Sequence, residues 1–267
     1  MGGPQNVSVF WQAAVVGWFC MTSLLPARAQ LNESDTAQFQ LNLQATGMWQ
    51  RGNVALDLLR GRAEMVALLH PHWTVKSQNN WLYQAFNGFK ADNDLNSRNY
   101  LYFKPQGRVY PFAMWYVQTN YRRKIAQRSF GGAGLSWQLL RRPKGFVKLS
   151  ASWVYEQTNF NSLLYNESAY NGSALIQLWR PTFYVQAGWK FATGTRLQAQ
   201  SYWQGGTSGV ANNRLSAELA LEQALGKGWG LRAQASYQYE QVVARNIQTT
   251  DGIYSLGLTY HLQRNQP

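Results

Sequence analysis

Three histidines, His70, His72 and His261, are the chain's only side chains with an ordinary pKa near neutrality. Serine-type hydrolysis needs such a ring between a hydroxyl and a carboxylate, and a structural metal needs three or four ligands. His70 and His72 merely flank Pro71, with no further ligand nearby, and His261 stands alone near the C-terminus. No Walker loop, dinucleotide fingerprint or His-Glu-x-x-His stretch occurs. The reading is therefore no catalytic residue, no cofactor and no metal, and the chain is not expected to be an enzyme. What remains is ionic chemistry. Charges recur at every second position: Arg60, Arg62 and Glu64 in one stretch, and Lys76, Lys148, Glu156, Lys190, Arg196, Arg214, Glu218, Glu222, Arg232 and Glu240 in others.

A charge at every second residue belongs to one face of a β-strand, because successive side chains point to opposite sides. The stretch 252–262, GIYSLGLTYHL, sets Tyr254, Leu256, Leu258, Tyr260 and Leu262 against Ile253, Ser255, Gly257, Thr259 and His261. Before it, Trp229, Leu231, Ala233, Ala235, Tyr237 and Tyr239 alternate with Gly230, Arg232, Gln234, Ser236, Gln238 and Glu240. One face is apolar without charge and the other is polar and charged, the pattern of a strand with lipid outside and a polar lumen inside. About twelve such segments follow one another from residue 37 onward, each near or above the roughly 9–11 residues that a tilted strand needs to cross a bilayer. Strands around 97–104 and 109–122 have weak facing, since the run PFAMWYV is apolar on both sides. Around 173–192, Pro181 cannot donate to a ladder and predicts a bulge or break. Short joins, such as His70-Pro71-His72, alternate with longer ones, such as 90–96 and 159–172. The reading is all-β: a transmembrane antiparallel up-and-down β-barrel of about twelve strands, with short periplasmic turns and longer extracellular loops.

The ends fit export. An apolar run closes on Ala27-Arg28-Ala29, which predicts a secretory signal over 1–29 with cleavage after Ala29; Pro26 stops the run short of the roughly 20 residues of a membrane-spanning helix. A short polar lead over 30–36, a barrel over 37–262 and a tail over 263–267 follow. Cleavage would remove the single cysteine, Cys20, and Arg28 from 25 basic residues, leaving 24 against 12 acidic and a net charge of +12. Without a disulfide framework, stability must come from a closed hydrogen-bonded structure. Aromatic residues at 15% with a mean hydropathy of −0.38 fit neither a helical membrane protein nor an ordinary basic domain. Export removes nucleic acid from the possible partners. The basic excess instead suits lipopolysaccharide phosphates or an anion-preferring lumen.

Several stretches carry a resemblance: Thr46-Gly47 followed by Arg51-Gly52-Asn53, LLRGRAEM at 58–65, FGGAGLSWQLL at 130–140 and the terminal YSLGLTYHL. The chain resembles the salt-induced outer-membrane protein family, a domain-of-unknown-function group of Gram-negative barrels, over nearly its whole mature length. The resemblance implies an outer-membrane barrel and no catalytic residues. The expected partners are outer-membrane lipids, lipopolysaccharide and, during insertion, the barrel-assembly machinery, although Leu262 stands where that machinery usually meets Phe. A narrow anion-preferring pore and an envelope-stabilising barrel are the two leading functions. A lipid-modifying outer-membrane enzyme and a soluble secreted β-sandwich are the alternatives.

Overall fold

The computed structural model describes residues 33–34, 38–52, 55–191, 194–207 and 209–264; the expected cleavage site at Ala27 and Ala29 lies outside them. Twelve strands follow in order: β1 (Phe39–Gln50), β2 (Leu56–His70), β3 (Trp73–Phe86), β4 (Phe89–Phe103), β5 (Val109–Asn120), β6 (Ile125–Arg142), β7 (Gly145–Phe160), β8 (Leu175–Lys190), β9 (Thr195–Gln204), β10 (Arg214–Gly226), β11 (Trp229–Glu240) and β12 (Thr250–Arg264). Each pairs antiparallel with its sequence neighbours, and β1 pairs with β12 from Phe39↔Arg264 to Ala45↔Leu258. The barrel is closed. Closure leaves no unpaired edge, which is what allows a sheet to sit in hydrocarbon.

The distribution of side chains is the inverse of a soluble protein's. All ten tryptophans among the described residues are exposed, from Trp73 at 39% to Trp49 at 64%. So are Tyr254, Leu256, Leu258 and Leu262 on the outer face of β12, whereas Arg232, Lys148, Glu156 and Arg180 are 2% exposed or less. An apolar belt of this extent far exceeds what a water-soluble monomer leaves uncovered. Among the described residues no second sheet packs on it, which overturns the sandwich alternative.

Four details depart from the sequence reading. The expected loop over 90–96 is strand: β3 and β4 meet in a tight turn at Asn87 (φ 49°) and Gly88 (φ 81°), left-handed conformations that the Asn-Gly pair adopts readily. Pro181 produces no bulge. It pairs opposite Trp153 in register, one residue beyond Thr182↔Gln204, where the regular β8–β9 ladder ends, so its missing N–H interrupts nothing. The final strand runs to Arg264, two residues into the expected tail. Finally, β5 turns Tyr110, Phe112, Tyr116, Gln118 and Asn120 to the buried side. Its apolar doubling arises because the interior here is aromatic. Beside this wall, Gly134 on β6 pairs in register with Phe112, and a Cβ there would lie 2.2 Å from the Ala151 carbonyl oxygen, so the close approach of β6 and β7 requires glycine.

Candidate functional site

Strand order and inward alternation bring the charged residues together in three levels inside the barrel. At the short-turn end, Glu33 enters the interior from the N-terminal lead and is fully buried. Its carboxylate accepts from Lys148 on β7, from Lys76 on β3 at 3.4 Å and from the Tyr110 hydroxyl on β5 at 2.9 Å. Ser34 donates to the Pro105 carbonyl at 2.6 Å, and Arg141 donates to the Ser34 carbonyl at 2.7 Å. Burial alone would push the Glu33 carboxyl up, but Lys148 and Lys76 outweigh it and hold the group well below the usual carboxylate range.

Half-way along, Arg62 on β2 donates to Glu64 and, across the interior, to Glu218 on β10, both at 2.7 Å. Arg232 on β11 reaches Glu218 at 3.3 Å, and Gln78 donates to Glu64 at 2.8 Å. Arg60 donates to Ser255 at 3.2 Å. On the same side, Glu222 gathers Arg196 at 3.6 Å and the His261 Nε2 at 2.7 Å. Lys190 takes an inner position at the short-turn end of β8, where it pairs in register with Arg196.

Toward the long-loop end, Glu156 on β7 accepts from Arg214 on β10 at 2.8 Å and from Arg180 on β8 at 2.9 Å. Arg128 on β6 forms a two-pronged pair with Glu240 on β11, at 2.9 and 2.8 Å, nearly opposite it in the ring. Above these, Arg123 donates to Asp251 at 2.6 Å. The loops 161–174 and 241–249 then join over part of the mouth through the Tyr165↔Ala244 bridge, on an apolar cluster that includes Ile125, Phe160 and Val242. Sequence reasoning missed Glu33, Arg98, Arg123, Arg128, Arg180 and Asp251, which fell in segments read as lead, loop, weak strand or expected break.

Between the levels lie two connected chambers. One of ≈ 100 Å³ in the long-loop half is lined by amides, hydroxyls and charged groups, among them Arg60, Asn96, Gln118 and Ser236. The other, a cleft of ≈ 30 Å³, is walled by Tyr100, Tyr102, Phe112, Met114 and Phe130. Arg98, Tyr184 and Tyr202 line both. The aromatic wall leads down to the buried N-terminal carboxylate: Tyr102 packs 5.8 Å from Tyr110, whose hydroxyl binds Glu33.

The family model described as "Protein of unknown function, DUF481" matches residues 33–262. The chain belongs to the DUF481 family. The match begins at Glu33, so in this DUF481 barrel it takes in the residue seated in the short-turn mouth as well as the strands. No curated protein sequence matches the chain. Among solved structures, the NanC porin is 10% identical, with 83% of this chain and 100% of that chain covered at a TM-score of 0.51. The translocator domain of the autotransporter NalP from Neisseria meningitidis is 13% identical over 93% of this chain and 95% of that chain, at a TM-score of 0.44. The likeness to the NanC porin, with the closed twelve-strand order, gives this DUF481 protein the fold of an outer-membrane barrel. Its histidines are dispersed: His70 and His72 face each other at 5.7 Å in a turn, and His261 is committed to Glu222. Among the described residues no three His, Cys, Asp or Glu side chains converge on a point where they could hold a metal.

Proposed function

We propose that this DUF481 protein, exported by a signal cleaved after Ala29, resides in the bacterial outer membrane as a narrow anion-preferring pore shut at rest by its own N-terminal segment. It works without catalysis, and its partners are outer-membrane lipids, lipopolysaccharide and the assembly machinery. The observation that carries this reading is the Glu33 carboxylate seated between Lys76 and Lys148 in the short-turn mouth, below two small chambers inside the barrel. Arg60 and Arg98 make no salt bridge among the described residues, so the passage side of the lumen carries uncompensated positive charge, which favours anions.

Glu33→Gln leaves two lysines facing each other without their counter-ion and should release the plug. In planar bilayers the wild type should be silent at neutral pH, and the variant should show discrete conductance steps with a reversal potential displaced toward that of chloride. Because the Glu33 pKa is depressed in the folded protein, docking is complete above the ordinary carboxylate value of about 4.3 and weakens only as pH falls below it toward the folded value. Wild-type conductance should therefore appear only in strongly acidic buffer. A silent but folded Glu33→Gln barrel would reject the pore. It would favour an envelope-stabilising role, the second reading, which the interior-spanning Arg128–Glu240 and Arg62–Glu218 pairs support.

A further inference from the structure

Most arginines of the three ion-pair levels lie against a carboxylate, and Arg60 and Arg141 donate instead to the Ser255 hydroxyl and the Ser34 carbonyl, but Arg98 does neither. Its guanidinium lies 5.2 Å from the Tyr202 ring centre and 5.6 Å from that of Tyr116, and among the described residues it makes no hydrogen bond or salt bridge. Ring faces attract a cation, yet they leave the five N–H donors of a guanidinium unused. A cation enclosed in a protein without an ion pair is costly unless something supplies the counter-charge. This one sits where the polar and aromatic chambers meet. Behind it the wall is built of Tyr100, Tyr102, Phe112 and Phe130, with Tyr100 and Tyr102 stacked at 5.7 Å and Phe112 tilted against Tyr102 at 5.8 Å.

We propose that this junction is a binding site for a small aromatic monocarboxylate, its carboxylate paired with Arg98 and its ring lying among the tyrosines and Phe112. The planar fork of arginine matches a carboxylate in two-pronged geometry, and the rings provide offset and edge-on faces for a flat partner. Ser150, Ser152 and Thr182 soften the opposite wall without placing a second charge there. An acid sugar would share the carboxylate contact but would bury its hydroxyls against the aromatic wall. The site holds whether or not the barrel conducts, because it needs only access from the polar chamber.

The test is calorimetric titration of the full mature chain, folded in detergent micelles, with benzoate, acetate, benzyl alcohol and glucuronate. Benzoate should bind saturably. Acetate, which has the charge without the ring, and benzyl alcohol, which has the ring without the charge, should each bind about tenfold more weakly or worse, as should benzoate to Arg98→Gln, since a hydrogen-bonded charge is lost in the latter two cases. If Arg98→Gln does not fold, Tyr202→Leu keeps the cation and removes a ring face, and it should weaken benzoate while leaving acetate unchanged. No saturable benzoate binding, equal binding of acetate, tighter binding of glucuronate, or indifference of benzoate to these substitutions would overturn the assignment. Failure of Glu33→Gln to conduct would leave it standing.

Discussion

Glu156→Gln is expected to lower the stability of the barrel by about 3–5 kcal/mol, the usual consequence of removing one partner from a buried ion pair. The carboxylate is fully buried and is the shared acceptor of Arg214 and Arg180, with Arg128 at 3.9 Å. The amide keeps its shape, so the loss would come from charge alone, with several guanidinium groups left unneutralised. The pairs need not be net stabilising to give this result, since desolvation offsets most of their attraction; what is costly is leaving one half behind. Equilibrium unfolding in urea from lipid vesicles, followed by tryptophan emission, measures it. Asp57→Asn provides the contrast: the Arg51–Asp57 pair is as short, 2.6 Å, but its side chains are 61% and 31% exposed, so its loss should cost less than about 1 kcal/mol. Equal effects at the two sites would mean that the interior is wet enough to screen its charges.

The second large effect concerns the outer face. Leu258 lies near the middle of β12, is 50% exposed, and pairs with Ala45 on β1 and Leu231 on β11. Leu258→Arg should cost about 2–4 kcal/mol, the depth-dependent cost of an arginine at the bilayer midplane. Leu69→Arg, also outward and 66% exposed but at the short-turn end of β2, should cost about 0–1 kcal/mol, because there the guanidinium reaches the interface. The same unfolding assay separates them. A protein whose apolar face met water would show the reverse of a penalty at Leu258, since an arginine there would be solvated.

How much of this was legible in the sequence depended on how sharply the two sides of a strand differed. On β2, Arg60, Arg62 and Glu64 alternate with Gly61, Ala63 and Met65, and lipid on one side forces that alternation into the residues themselves. On β4 and β5 the interior is aromatic, so Tyr110, Phe112 and Tyr116 inside resemble Pro111, Trp115 and Val117 outside, and only the register distinguishes them. The turn at Asn87-Gly88 was the available signal: extending period two back from Arg98 through Asn96, Asp94 and Asp92 would have recovered that charged face. Glu33 had no such signal. It meets Lys148 across 115 residues of sequence, in a contact that exists only once the barrel has closed. Arg128 and Glu240, 112 residues apart, share that dependence on closure.

The most direct test of an inside-out barrel with lipid on its apolar face is nitroxide scanning from 253 to 260 on β12, with single cysteines introduced into the mature chain in vesicles. Accessibility to oxygen, which concentrates in hydrocarbon, should rise at 254, 256, 258 and 260 and fall at 253, 255, 257 and 259, with the strict period of two that a strand imposes. A flat profile, or one with its maxima at the odd positions, would contradict the account.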